Sequence, residues 1–294
     1  MRIYPCKTYS LVIIIILTVL LQGCALHLLN LATPPTGYSR TSDLSYGDLP
    51  RQNLDIYEPN DDKTDTSFFA NTYDKNVTLV FFYGGAWDSG NKDLYRFVGR
   101  AFALEGYRVV IPDYRIYPEV QFPLFVQDSA LAIKKIITLY PDQKIVLVGH
   151  SAGAHIAALL ATNPNYLSDV NVPMNKIKAW IGWSGPYNFL PLTNKRVKRI
   201  FSNTKDLSIT QPINYISQSV PPTLLIHGEK DTRVIIQNSE SMANKLRDYN
   251  VHVVEKYYKN NTHSNTLISA STLFREISPS FKDTISYLNS QAYQ

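Results

Sequence analysis

The sequence predicts an α/β fold built on a mostly parallel central sheet with helices on both faces. Short apolar runs recur along the chain, among them Val77 to Tyr83, Tyr107 to Ile111, Lys144 to Val148 and Thr223 to Ile226. Segments with helical spacing stand between them. One run passes directly through a Gly-x-Ser-x-Gly turn into a helix, at Gly149 to Gly153. Strands alternating with helices of about 10–15 residues imply βαβ units. Right-handed crossovers then place helices on both faces.

The elements follow in order. Leu54-Asp55-Ile56-Tyr57 alternates apolar and polar, as a half-buried strand does. Val77 to Tyr83 is unbroken apolar and aromatic, the pattern of a strand buried on both faces. Leu94 to Leu104 reads as a helix stopped by Gly106, and Tyr107 to Ile111 as the next strand. Pro123 to Tyr140 carries Leu124, Val126, Ala130, Ile133 and Ile137 at helical spacing. Lys144 to Val148 is a strand and Ala152 to Thr162 a helix. Lys178 to Trp183 and Thr223 to Ile226 are further strands. Ser239 to Tyr249 is a helix, Val251 to Tyr257 a strand and Thr272 to Leu288 a closing helix. Pro186 to Gln218 has no clear period and reads as a small cap insertion.

Composition narrows the function classes. Of 294 residues, 45% are hydrophobic and 18% charged, which excludes a disordered chain. The net charge of +5 is spread without a basic block, so nothing points to nucleic acid. No His-Glu-x-x-His or Cys-His cluster suggests a metal, and the Gly149 to Gly153 turn lacks a phosphate-loop lysine. No cofactor is expected.

The first residues read as an address. Arg2 and Lys7 precede the apolar run Leu11 to Leu21. Those eleven residues, at about 1.5 Å each, cannot cross a hydrocarbon core of about 30 Å as a helix. A charged start and a short apolar run are the pattern of a signal peptide over residues 1–23. The run ends in Leu21-Gln22-Gly23-Cys24, which resembles a bacterial lipoprotein signal. That resemblance implies cleavage before Cys24, lipid attachment to it and a membrane partner. Ala25 in place of Asp points to the outer membrane of the cell envelope. Cys6 and Cys24 are the chain's two cysteines, so the body carries no thiol. Residues 24–42 read as a lipid-attached tether and 43–294 as a catalytic domain.

The turn at Gly149-His150-Ser151-Ala152-Gly153 has the strand-turn-helix context of a nucleophile elbow. It lifts the Ser151 hydroxyl above the sheet, and the following helix N-terminus adds positive partial charge. The N–H of Ala152 is left free to bind an oxyanion. Upstream, Tyr83-Gly84-Gly85-Ala86-Trp87 follows a buried strand, and paired glycines let backbone N–H groups face a substrate.

Taken together these residues resemble the α/β-hydrolase esterases and lipases, near the kynurenine formamidase, feruloyl-esterase-like and hormone-sensitive-lipase-like branches. Asp113-Tyr114-Arg115-Ile116-Tyr117-Pro118 stands where that family carries D-Y-R-x-x-P. The likeness runs from about residue 45 to 290. It implies the α/β-hydrolase fold, with Gly85, Ala86 and Ala152 as oxyanion donors. Tyr83 departs from the family's usual His, whose place in bracing the loop a Tyr hydroxyl can take.

That family orders its triad Ser, acid, His. His227-Gly228-Glu229-Lys230-Asp231-Thr232-Arg233-Val234 resembles its H-G-x-x-D-x-x-V, which makes Asp231 the acid, with Glu229 and Asp206 as rivals. His263, in the loop after the last predicted strand, is the expected base, with His252 as its rival. Trp87, Trp183, Tyr187, Phe189 and Phe201 are candidates for an apolar pocket. The expected function is a serine carboxylesterase acting on small esters. An aryl-formamide hydrolase and a non-catalytic envelope lipoprotein are the alternatives.

Overall fold

A computed structural model of the chain describes residues 26–60 and 76–290. The expected signal peptide and Cys24 lie outside the described residues.

Among the described residues the sheet has eight strands: β1 (Tyr38–Ser45), β2 (Asn53–Pro59), β3 (Val77–Phe82), β4 (Arg108–Pro112), β5 (Lys144–His150), β6 (Ile177–Trp183), β7 (Thr223–Gly228) and β8 (Val253–Tyr258). Their spatial order is β1-β2-β4-β3-β5-β6-β7-β8. The first two strands are antiparallel, and β4 onward is parallel. The five longest helices are α1 (Arg96–Leu104), α2 (Leu124–Leu139), α3 (Ala152–Thr162), α4 (Gln237–Asp248) and α5 (Ser280–Asn289).

The aromatic side chains show how both faces are covered. Trp183 of β6 packs against Phe102 of α1, and Phe102 in turn meets Phe281 of α5. Trp180, three residues earlier in the same strand, points to the opposite face and meets Tyr187. Trp183 and Tyr187 are fully buried in this core, packed against Phe102 and Trp180.

Parallel pairing aligns the strand ends. Phe82 stands beside Gly149, His150 beside Trp183, and Gly228 beside Tyr258. The loops leaving β3, β5, β7 and β8 therefore emerge on one edge, where ligands bind in open parallel sheets.

Two expectations are corrected. Residues 24–42 do not form a free tether over their described part. Residues 26–31 are helical, Leu29 is buried, and Tyr38 begins β1 with its ring 5.6 Å from that of Tyr57. An ion network explains the docking. Lys92 Nζ lies 2.6 Å from Asp43 and 3.1 Å from Asp55, and Arg40 reaches Asp55 at 2.6 Å. The closing helix expected over Thr272 to Leu288 is broken as well. A 3₁₀ segment, Thr272–Ile277, ends at an extended Ser278, and α5 starts after Pro279. Proline disfavours helical backbone in the residue before it.

Candidate active site

Ser151 sits between β5 and α3 with φ 56° and ψ −122°. That left-handed backbone costs a non-glycine residue on the order of 1–3 kcal/mol and persists only where the surroundings enforce it. Here they do. The Ser151 N–H donates to the Trp183 carbonyl at 2.9 Å, while its own carbonyl accepts from Ala154 at 2.9 Å and His155 at 3.2 Å. Gly153 lets α3 press on the sheet, because a Cβ there would lie 2.0 Å from the Phe82 carbonyl oxygen.

The three side chains singled out from the sequence converge. His263 Nε2 lies 2.9 Å from Ser151 Oγ. Its Nδ1 lies 2.7 Å from Asp231 Oδ2. Asp231 is fixed from its other oxygen, since Oδ1 accepts from the N–H groups of Arg233 at 2.9 Å and Val234 at 3.0 Å. Burial alone would raise the Asp231 carboxyl. The hydrogen bonds from His227 and His263 outweigh it and hold the group well below the usual carboxylate range. Asp231 stays ionised, so His263 Nδ1 carries the proton and Nε2 is left as an acceptor for the serine hydroxyl.

The rivals lie elsewhere. Glu229 and His252 are exposed, and Asp206 caps the turn Leu207–Thr210 by accepting from Ser208 at 2.9 Å.

The loop after β3 lies against the serine. A Cβ at Gly84 would lie 3.0 Å from both Ser151 Cβ and His150 Nδ1, so any larger residue would have to push one of them aside. Gly85, Ala86 and Trp87 follow with φ of 138°, 50° and 60°. The N–H groups of Gly85 and Ala86 donate to no described residue. Ala152 opens α3, where first-turn N–H groups have no partner within the helix.

Tyr83 braces this loop. Its hydroxyl donates to Asp113 Oδ1 at 2.6 Å and accepts from Arg51 at 2.9 Å. Its ring is stacked between Tyr95 and Tyr114, and the Tyr114 hydroxyl donates back to the Tyr83 carbonyl at 2.7 Å. Asp113 also accepts from the Lys92 N–H at 2.7 Å, and Arg115 grips Asp128 through two nitrogens at 2.8 Å each. The Asp-Tyr-Arg stretch is therefore structural, tying the loop to the sheet.

Sequence reasoning has His155 pack beside the site and His227 brace the turn before Asp231, but treats His150 only as the variable residue of the elbow and so misses its part. His150 Nε2 donates to the His263 carbonyl at 3.0 Å. His227 Nε2 faces the Val234 carbonyl at 2.8 Å and Asp231 Oδ2 at 3.2 Å, while its Nδ1 accepts from Ser239 at 2.7 Å. His155, one turn beyond Ser151, joins Trp87 Nε1 at 3.3 Å to the Thr210 carbonyl at 2.8 Å. For His155, helical spacing from Ser151 was a readable signal. For His150 none existed, because its partner lies 113 residues away.

Trp87, Phe189 and Phe201 do cluster, around His155. Phe201 also borders a cavity of about 670 Å³ in the cap segment, lined by Leu190, Pro191, Leu192, Leu207 and Lys198 among others.

Comparison with known proteins places the chain in a family. The model of the BD-FAE family matches residues 54–246. A probable isoprenylcysteine alpha-carbonyl methylesterase from Oryza sativa subsp. japonica is 29% identical over 249 residues, covering 76% of this chain and 58% of that protein. The probable carboxylic ester hydrolase LipM of Mycobacterium tuberculosis is 30% identical over 240 residues, covering 71% of this chain and 52% of that one. The chain thus spans little more than half the length of these curated relatives. Among solved structures, esterase B from Lactobacillus rhamnosis, determined with a tributyrin phosphonate inhibitor, superimposes with a TM-score of 0.73 at 17% identity. That match covers 97% of both chains and establishes a shared fold.

Proposed function

This chain belongs to the BD-FAE family, and from that premise we propose that it is a serine hydrolase that cleaves small carboxylic esters through an acyl-enzyme. One observation carries the reading: Ser151 Oγ, His263 and Asp231 form an unbroken hydrogen-bonded chain, with the serine held at φ 56°. The esterase names of the relatives support it.

The chemistry follows from the geometry. Ser151 Oγ attacks the ester carbonyl as His263 Nε2 takes its proton. Asp231 keeps Nδ1–H in place and stabilises the imidazolium that forms. Negative charge on the carbonyl oxygen is met by the N–H groups of Gly85, Ala86 and Ala152. Each such donor is worth roughly 3 kcal/mol in the transition state. The imidazolium then protonates the departing alkoxide. Water, deprotonated by His263, attacks the acyl-serine and releases the acid. The cavity bordered by Phe201, Leu190, Leu192 and Leu207 is the apolar space we assign to an acyl group.

Attachment to the cell envelope through lipid on Cys24 is part of the same proposal. Its support is the sequence pattern of Arg2, Lys7, the apolar run and Gly23-Cys24. A Cys24→Ala chain that still takes up a labelled palmitate analogue would contradict it.

The activity is tested with p-nitrophenyl acetate, graded longer esters and aryl formamides. Ester turnover by the native chain and its loss in Ser151→Ala, at an unchanged melting temperature, is the expected result. Undiminished turnover by Ser151→Ala contradicts the assignment, and turnover of formamides alone would replace the ester by an amide.

A further inference from the structure

Gly85, Ala86 and Trp87 all have positive φ. For alanine and tryptophan that conformation is costly, and something outside the loop must hold it. Within the loop, the Gly85 carbonyl accepts from Asp88 and Ser89 N–H at 3.2 and 3.1 Å. From outside, the Trp87 carbonyl accepts from Tyr117 N–H at 2.9 Å, and the Asp88 carboxylate clasps the Arg196 guanidinium through both oxygens. The Gly84 and Gly90 carbonyls accept from the Tyr95 hydroxyl at 3.3 Å and from Arg51 at 2.7 Å, and the indole is a further tie. Trp87 Nε1 lies 3.3 Å from His155 Nδ1, and His155 Nε2 lies 2.8 Å from the Thr210 carbonyl oxygen.

Both partners fix the protonation of this imidazole. A carbonyl only accepts, so Nε2 carries the hydrogen. An indole N–H only donates, so Nδ1 must offer its lone pair. His155 is fully buried, which also favours the neutral ring. A neutral imidazole of one defined tautomer thus spans α3, the loop after β3 and the cap segment.

We propose that His155 is a positioning residue for the oxyanion loop, locking Trp87 to Thr210 so that the cap segment sets the aim of the Gly85 and Ala86 N–H groups. This rests on the esterase reading above. His155 touches no reacting atom. It acts through Trp87, and Arg196 acts in parallel through Asp88. The cap is therefore part of the transition-state apparatus as well as a cover.

The test uses the full chain with p-nitrophenyl butyrate, and active sites counted by titration with a fluorophosphonate. Misplacing backbone donors costs rate more than substrate affinity. His155→Phe keeps the ring but loses both hydrogen bonds. It is expected to lower kcat per titrated site between about ten- and a hundred-fold, with KM within about three-fold. Affinity for a trifluoromethyl ketone, which forms an oxyanion on the serine, should fall in parallel. His155→Gln, which supplies one donor and one acceptor, should recover much of the loss. Trp87→Phe, which removes the indole N–H together with part of the ring, should reproduce the loss and serves if His155→Phe does not fold. Native kcat per site and native ketone affinity in His155→Phe or Trp87→Phe would overturn the proposal while leaving the serine assignment intact. A native chain that no fluorophosphonate labels would overturn both.

Discussion

The imidazole of His150 donates from Nε2 to the backbone carbonyl of His263 across 3.0 Å, so the residue before the strained serine anchors the residue that faces it. Ser151 and His263 come from loops on different strands. Their 2.9 Å contact depends on both loops keeping register, and His150 is the direct link between them.

Replacing His150 by Leu removes that link and leaves the Thr266 hydroxyl, at 3.1 Å, as the remaining partner of the His263 carbonyl. One buried hydrogen bond lost in this way costs about 0.5–1.5 kcal/mol. The expected outcome is a loss of that size in urea denaturation, with kcat lowered at least ten-fold and KM little changed. A variant with native kcat would show that the His263 loop holds its own position.

Asp231→Asn keeps the shape of the side chain but frees His263 to adopt the other tautomer. Loss of the ionised acid is expected to cut kcat by on the order of 10³–10⁴. Steady-state kinetics on any accepted ester measures this. A fall of less than ten-fold would transfer the role of acid to another group.

Lys92→Met tests the docking of β1. The ammonium is 2% exposed and sits between Asp43 and Asp55, and Asp55 is fully buried. The variant leaves Asp55 paired with Arg40 at 2.6 Å, so the expected cost falls below the roughly 3–5 kcal/mol of a buried charge stranded outright. The variant should melt lower and be cleaved by protease within Tyr38–Ser45 sooner than the native chain. Equal protection of that strand would show that the ion network is dispensable.

Acid should destabilise the fold well above the carboxylate range. Burial holds the His150 imidazole down to about 3 and that of His155 down to about 4, against an ordinary 6.5. Both folded values lie below the unfolded one, so the unfolded chain binds protons first as pH falls. Their contribution is complete above about pH 6.5 and declines toward pH 4, each histidine removing on the order of 1.4 kcal/mol per unit. Asp231, whose folded value is also depressed, adds its loss only below its ordinary 3.8. Urea denaturation at several pH values between 7.5 and 4.5 should show this slope, reduced in His155→Phe. A flat profile across that range would contradict the buried neutral histidines.

The inner strands were legible from their apolar runs, β2 from its alternation, and the elbow because its glycines and serine stand in fixed order beside an apolar run. Strand β1 was not. Tyr38–Ser45 is exposed along most of its length and shows no alternation, since it holds the sheet edge through Arg40 and Asp43 rather than through apolar side chains. The break before Pro279 stood in the sequence, but helical spacing continued across it. Ser151, Asp231 and His263 were found from local patterns that place each on a loop after a strand. His150 and His155 act through partners distant in the chain, and only the fold brings those partners close.

The most direct measurement is mass spectrometry of peptides from the native chain after reaction with a fluorophosphonate. The account predicts one covalent adduct, on Ser151, whose formation is abolished in Ser151→Ala and slowed in His263→Ala. An unmodified Ser151, or equal labelling of several serines regardless of His263, would contradict it.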